Sequence, residues 1–336
     1  MHKQIVLAKR PKGKLLASDF ELETVPLPTL SDGEVLVRNS YLSMDAGFRY
    51  WMNEGSGNNI LPAMTLGEPV QGVVLGQVEA SRNPRFQPGQ KLMARLAWQE
   101  YSVLTPDNDA VYPVPGGWPC ADKLFLGVLG ETGMSAYIGT EDIGKLQPGQ
   151  TALISAAAGA VGIVAGQISK IRGAKVIGIA GNDKKAQKLI SEFGFDAVIN
   201  YKTCGDLTTA IAEVCPDGID FYFDNIGGDM LKSAIDNLAQ GARIALCGAI
   251  SGYDQTQAQP GPSNLFNLIT KQATMTGLMT HFDAQRYNQI RSQLFNWLDS
   301  NQLKNAETLY QGIESAPAAF SAIFHGSNFG KSIVEI

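Results

Sequence analysis

The sequence predicts an α/β protein of two domains, a barrel-like β domain followed by a doubly wound parallel sheet, and three observations predict it. The chain has 336 residues, more than one core usually organises, so two domains are the better expectation. Residues 1–120 carry short β-like runs broken by Pro and Gly, with no helical period. From about residue 124 strands alternate with helical stretches, the pattern of βαβ units around a parallel sheet.

In the first part the β-like runs are EVLVRNSYL, VQGVVLGQVEA and KLMARLAWQEYSVL, separated by turn-rich segments such as NPRFQPGQK and VPGGWP. In the second part TALISA reads as a buried strand. After it, Val161, Val164, Ala165, Ile168 and Ile171 recur at helical spacing. AKVIGIAG is the next strand and DKKAQKLISEFG the next helix, closed by Gly194. DAVINY, DLTTAIAEV, IDFYFDN, DMLKSAIDNL and ARIALCGAI continue the alternation. DAQRYNQIRSQLFNWLDSNQ reads as one long amphipathic helix, and the tail GKSIVEI as a strand returning to the first domain. The expected boundaries are 1–123 for the first domain, completed by about 300–336, and 124–299 for the second.

Composition narrows the function. An apolar share of 44% suits a globular protein with a sizeable core. A formal net charge of −5 argues against a nucleic-acid partner, which would draw on clustered Lys and Arg. The one basic cluster, KRPKGK, reads as a solvated loop. The opening MHKQIVLAKR is too briefly apolar for a secretory signal, and no stretch is long and apolar enough to span a membrane. Cys120, Cys204, Cys215 and Cys247 are scattered without a C-x-x-C pair and read as reduced thiols, which places the chain in the cytoplasm.

The stretch LISAAAGAVGIVAGQISK carries the first functional signal. Each glycine of a dinucleotide-binding turn has its own physical reason, whether a tight turn, close approach of a pyrophosphate, or close packing of helix on strand. Here the set reads Ala157-Ala158-Gly159-Ala160-Val161-Gly162, with alanine at the first position. Alanine serves there if its φ is negative. Alone, small residues in an apolar helix indicate core packing equally well. Between a strand and a helix that opens a βαβαβ pattern, they point to a dinucleotide.

The end of the second strand chooses the dinucleotide. An NAD enzyme usually places an acidic side chain there for the ribose 2′-hydroxyl. This strand ends at Gly181 and continues Asn182-Asp183-Lys184-Lys185. Two ammonium groups favour a 2′-phosphate, since one charge-assisted hydrogen bond of about 1.5–3 kcal/mol sets a tenfold preference or more. Asp183 is the contrary sign, as an N-cap or an acceptor of the NAD kind. NADP(H) is the expected cofactor.

Zinc is not expected. A catalytic zinc needs converging Cys, His or carboxylate ligands, and the chain has only His2, His281 and His325, with no close set of four Cys.

Taken in order, the β domain, AAAGAVG, FDNIGG, CGAISGYD and NFGK resemble the zinc-free medium-chain dehydrogenases/reductases over nearly the whole chain. Within them the resemblance is to the branch of prostaglandin reductases, plant double-bond reductases and bacterial curcumin reductases. It implies a GroES-like β-barrel domain, a Rossmann domain, a site in the cleft between them and a homodimer. It also implies NADPH-dependent reduction of the carbon–carbon double bond of α,β-unsaturated ketones and aldehydes, with apolar enones as small-molecule partners. Carried over by motif, coenzyme contacts fall on Gly159, Ala160, Val161 and Gly162 at the pyrophosphate, and on Lys185 and Tyr201 at the 2′-phosphate. Asn225, Cys247, Gly248, Ala249, Ile250, Ser251, Tyr253, Leu278, Met279, Thr280 and Asn328 complete the set.

The sequence departs from that family on the substrate side. The stretch the family writes DPYMR reads Asp45-Ala46-Gly47-Phe48-Arg49, followed by Tyr50 and Trp51. An aromatic ahead of the sixth strand is replaced within NLFNLITKQ, and His281 stands where relatives can have Tyr. Tyr50, Trp51, Phe266 and His281 are therefore candidates to line the substrate pocket, with Met279 beside them. Tyr253 is the expected catalytic donor to the substrate carbonyl oxygen, after the fifth strand where doubly wound sheets place ligands. The returning proton comes from Tyr253, from His281 or from water. Two other functions remain open at this level, a quinone reductase on the same scaffold and a non-catalytic NADPH-binding protein.

Overall fold

The computed structural model describes the whole chain except residues 59, 107–109, 115–116, 256–259 and 281–285. The chain divides into two units, the first formed by 1–126, 308–328 and 332–336, the second by 127–307 and 329–331. The first unit begins with the antiparallel pair β1 (His2–Leu7) and β2 (Phe20–Val25). Then come β3 (Val35–Ser43), β4 (Gln71–Ser81), β5 (Lys91–Ala97), β6 (Tyr101–Leu104) and β7 (Val111–Pro113). The run KLMARLAWQEYSVL is thus two strands rather than one. Trp98 separates them and is fully buried, stacked on Phe20. The lysines of KRPKGK are exposed, while the buried Arg49 holds this loop by donating to the carbonyls of Pro11 and Gly13.

The second unit opens with α1 (Glu131–Tyr137), which runs on into a π-helical turn over Ile138–Gly144. The alternation that follows is β8 (Thr151–Ile154), α2 (Ala160–Ile171), β9 (Lys175–Ala180), α3 (Asp183–Phe193) and β10 (Ala197–Asn200). It continues with α4 (Leu207–Val214), β11 (Ile219–Asp224), α5 (Gly228–Asp236), β12 (Leu238–Leu246) and α6 (Ile250–Tyr253). α7 (Phe266–Thr270), β13 (Thr274–Gly277) and α8 (Tyr287–Asp299) complete it. The strands pair in parallel in the order β10-β9-β8-β11-β12-β13. The order reverses between β8 and β11, so ligands are expected beyond the carboxyl ends of these two strands.

Two helices differ from the sequence reading. The long helix begins at Tyr287, and what precedes Arg286 back to 281 lies outside the described residues. α2 is buried on almost every face from Gly162 to Ser169 rather than along one stripe. Its glycines explain this: Gly166 lies against the ring of Phe195, and a Cβ there would overlap it. Its two buried polar side chains are bonded internally, Gln167 to the carbonyl of Lys304 and Ser169 to that of Ala165.

After the second unit the chain re-enters the first as β14 (Glu307–Gln311), α9 (Ala316–His325) and β15 (Lys331–Glu335). β15 runs antiparallel to β3, Ile333 opposite Ser43, and extends a sheet ordered β14-β15-β3-β4-β5-β7 with β6 on β3. Phe320 of α9 meets Trp98 edge-on at 5.4 Å, so residues far apart in the chain share the first unit's core. Among the described residues no helix is long and apolar enough to cross a membrane.

Candidate coenzyme and active site

The glycine turn begins where β8 ends. Ser155 donates its N–H to the carbonyl of Phe223 at 3.1 Å, and Ala157 donates to that of Ile179 at 3.0 Å, so the turn hangs from both neighbouring strands. The left-handed backbone that a first glycine would supply falls on Ala156, φ 46°, and not on Ala157. Alanine at 157 is therefore compatible with the turn. Gly159 caps α2 in extended conformation. A Cβ on Gly162 would strike the carbonyl oxygen of Ala156 and stand 2.9 Å from the Cα of Ala157. Ala160 and Val161 form the first turn of α2 and are half-buried. The free N–H groups of this helix end present a positive dipole to an anion. Gly330 adds a clasp from the C-terminal segment, donating its N–H to the carbonyl of Ala158 at 2.9 Å. Asn328, buried, precedes this clasp in the first unit.

The second strand's end is cationic. Asn182, not Asp183, caps α3, its side chain accepting from the Lys185 N–H at 2.9 Å. Asp183 accepts from the Asn200 amide at 2.6 Å and is held on the helix. Lys184 is exposed, whereas Lys185 is half-buried. Burial, then the nearby Lys202 ammonium, pulls Lys185 below the ordinary lysine value. Gly181 makes room for this corner, since a Cβ there would stand 3.2 Å from the Tyr201 ring and 3.4 Å from the Lys202 stem. The Lys202 ammonium lies 5.9 Å from the Tyr201 ring centroid. Sequence reasoning does not single out Lys202. The charge is visible beside Tyr201, but its convergence with Lys185 depends on the pairing of β9 with β10. No carboxylate among the described residues pairs with either ammonium. Two cations and a phenol around a strand-end glycine are a donor set that fits the 2′-phosphate of NADP(H).

Beyond β11 and β12 two loops are bound to each other. Cys247 and Gly248 donate their N–H groups to the carbonyl of Asp224 at 2.8 and 3.1 Å, and Ile250 donates to that of Asn225 at 3.3 Å. Ser251 donates its hydroxyl to the Ile226 carbonyl at 2.6 Å. Gly227 and Gly228 adopt φ of 73° and 55°, conformations that make glycine the natural residue there. Asn225 bonds Ser155 twice, through its N–H to the hydroxyl and through its amide NH₂ to the carbonyl, both at 2.8 Å.

Tyr253 stands at the end of α6 with its phenol folded back over the start of the loop. Its oxygen accepts from the Ala249 N–H at 3.1 Å. Burial pushes the phenol above its ordinary value of 10.0, with the Ala249 N–H pulling the other way, so it remains a protonated donor near neutrality. Burial pushes the neighbouring Cys247 thiol up to about 12, and a hydrogen bond to Ser135 opposes the shift only in part. The thiol is therefore no nucleophile at neutral pH. Leu278 donates its N–H to the Leu246 carbonyl at 3.0 Å, which brings the end of β13 beside the loop after β12. Met279 is exposed and Thr280 buried.

The expected pocket aromatics are dispersed. Tyr50 and Trp51 belong to the first unit, on a 3-10 helix over Ala46–Met52, and meet edge-on at 6.1 Å. Tyr50 is exposed, while Trp51 packs on the first unit's core. Phe266 is exposed on α7, where Asn264 and Asn267 both bond Asp236 at the far end of α5. That end lies toward the amino-terminal edge of the sheet, away from Tyr253. His281 lies outside the described residues.

A family profile described as the N-terminal domain of oxidoreductase matches residues 3–112, and one described as zinc-binding dehydrogenase matches residues 160–296. Prostaglandin reductase 1 of Rattus norvegicus is 38% identical over 335 residues, covering 98% of this chain and 97% of its own. The NADP(+)-dependent 2-alkenal reductase of Nicotiana tabacum is 35% identical over 338 residues, covering 100% of this chain and 97% of its own. Among solved structures, CurA in complex with NADPH from Vibrio vulnificus matches with a TM-score of 0.91 at 37% identity, covering 99% of this chain and 98% of that one. Among the described residues no three His, Cys, Asp or Glu side chains gather as a metal site would require.

Proposed function

Because the chain belongs to the medium-chain dehydrogenases/reductases, in the branch of the prostaglandin, alkenal and curcumin reductases, we propose that it reduces the carbon–carbon double bond of α,β-unsaturated ketones and aldehydes with NADPH. The observation that carries this reading is the cationic corner of Lys185, Lys202 and Tyr201 beside the close-packed Gly162 turn. When bound, NADPH supplies the hydride. Gly159, Ala160, Val161 and Gly162 receive the pyrophosphate on backbone N–H groups, and Lys185, Lys202 and Tyr201 receive the 2′-phosphate. Asn225, the loop Cys247–Ser251, Leu278, Met279, Thr280 and Asn328 hold the rest of the coenzyme.

Tyr253 donates its phenolic proton toward the substrate carbonyl oxygen, where negative charge grows as the double bond is reduced. A donor so placed lowers the barrier by about 2.7–4 kcal/mol. The Ala249 N–H on the same phenol oxygen favours the change, because it stabilises that oxygen as its proton is drawn away. Tyr50 and Trp51 supply apolar surface for the substrate. The cytoplasm is the compartment that suits four unpaired thiols. The exposed edge of β13, with Met275 on it and Leu265, Phe266 and Ile269 nearby in the chain, supports a homodimer joined along that edge.

The test is NADPH oxidation across enones, alkenals, diarylheptanoids and quinones, repeated with NADH. Turnover of alkenals and enones with a strong NADPH preference is expected. Faster turnover of simple quinones would make the chain a quinone reductase, and no turnover of any would leave a coenzyme-binding protein. Sedimentation of the purified protein tests the dimer.

A further inference from the structure

Beneath the reversal of strand order lies a carboxylate to which the proposed reaction assigns no role. Asp224 ends β11 and is fully buried, as are Tyr222 and Ser155. Its Oδ1 accepts from the Tyr222 phenol at 2.9 Å and from the N–H groups of Ile226 and Gly227 at 3.0 Å each, and its Oδ2 accepts from Gly227 at 3.1 Å. The Ser155 hydroxyl shares its proton between this Oδ1 at 3.3 Å and the Phe223 carbonyl at 3.2 Å. No basic side chain among the described residues offsets the charge.

Burying a carboxylate without a cation is costly unless its lone pairs are met by donors. Here hydroxyl and backbone dipoles meet them. An apolar residue would fill the space without this demand, as Phe221 and Phe223 do on the same strand. What the carboxylate adds is a connection. One oxygen holds the 226–227 turn, and the same oxygen meets Ser155, where β8 passes into the dinucleotide turn. Asn225 stands between these two anchors, and its bonds to Ser155 use its N–H and its amide NH₂, not its Oδ1.

We propose that Asp224 is a positioning residue of the coenzyme site: through Ser155 and the 225–227 turn it holds the Asn225 amide and the start of the dinucleotide turn in binding geometry before coenzyme arrives. This rests on the reading of the chain as an NADPH enzyme.

The test measures NADPH dissociation constants by calorimetric titration, with melting curves, for the unmodified protein and for Asp224→Asn, Tyr222→Phe, Asn225→Ala and the double variant of 224 and 225. Asp224→Asn keeps the volume but turns an NH₂ toward donors, and should raise the NADPH dissociation constant about tenfold or more. Tyr222→Phe, whose phenol meets Asp224 and is not among the proposed coenzyme contacts, should raise it severalfold. At saturating NADPH, kcat should change much less than KM. In the Asn225→Ala background the loss from Asp224→Asn should shrink, because the part carried by Asn225 is already gone while the part carried through Ser155 to the dinucleotide turn remains. Unchanged affinity in folded Asp224→Asn or folded Tyr222→Phe, or losses that simply multiply in the double variant, would overturn the proposal. If Asp224→Asn does not fold, Tyr222→Phe decides. Failure of the unmodified protein to bind NADPH would instead overturn the functional reading, and shows before any substitution is made.

Discussion

The proposed coenzyme site has two polar regions built on opposite principles. At the ends of β9 and β10, Lys185 and Lys202 bring like charges together, and no carboxylate among the described residues pairs with either. At the ends of β8 and β11, one buried anion is surrounded by dipoles, and the donors that meet it are hydroxyls and backbone N–H groups. The first region is unsatisfied until an anion arrives and therefore selects. The second is satisfied in advance and therefore holds shape. Salt and pH should reach the first and largely spare the second, because screening weakens exposed charge and not buried hydrogen bonds.

The comparison breaks most readily at the turn between the two regions. Gly162→Ala places a methyl against the Ala156 carbonyl and should weaken NADPH binding by on the order of a hundredfold. Calorimetry should also show a stability loss of about 1–3 kcal/mol, the usual cost of overpacking. Near-normal affinity would mean that the close approach of helix and strand is not what admits the coenzyme.

Tyr253→Phe comes next. It should lower kcat by about a hundredfold, in line with loss of one oxyanion donor, while the NADPH dissociation constant, read by titration, changes little. A parallel loss of affinity would assign Tyr253 to the shape-holding region alone.

Lys185→Ala and Lys202→Ala should each raise the NADPH dissociation constant about tenfold and leave that for NADH unchanged. Titrations at rising ionic strength should shrink these losses, while the loss in Tyr222→Phe stays constant. If both sets respond alike to salt, the distinction between the regions fails.

The smallest effect concerns the coenzyme-free protein. Lys185 lies below its ordinary value of 10.5 in the fold, first through burial and then through Lys202. Between its lowered value and 10.5 the unfolded chain binds more protons, so stability should rise with pH across that window. Lys202→Met removes the second cause. It should raise the melting temperature slightly without coenzyme, flatten the pH slope and still weaken NADPH binding.

How much of this is legible in the sequence varies with the range of the interaction. The glycine turn is readable because its steric requirement is local: a Cβ on Gly162 would strike the Ala156 carbonyl a few residues back in the chain, whatever distant strands the turn also bonds. The preference for NADP(H) is readable in the charge of Lys184 and Lys185, with Tyr201 added only by family resemblance, yet Lys202 escapes notice because it meets Lys185 only across the β9–β10 pairing. Asp183 raises a doubt that a contact of similar range resolves, through Asn200. Phe266 reads as a pocket residue from chemical type alone, although α7 lies at the other end of the sheet. Asp224 gives no signal of its own, because an acid at a strand end is ordinary and only its burial makes it informative.

By itself, then, the amino-acid order determined the alternation of strands and helices, the glycine positions that a close turn demands, and the excess of positive charge after the second strand. These depend on backbone sterics, hydrophobic period and charge, all of which act between neighbours in the chain. Only the tertiary structure decided which ammonium groups face each other, which carboxylate is buried, and that Ser155 and Asp224, 69 residues apart, meet beneath the turn. Those outcomes are set by strand pairing, which brings distant residues within hydrogen-bond reach and removes the water that would otherwise screen them.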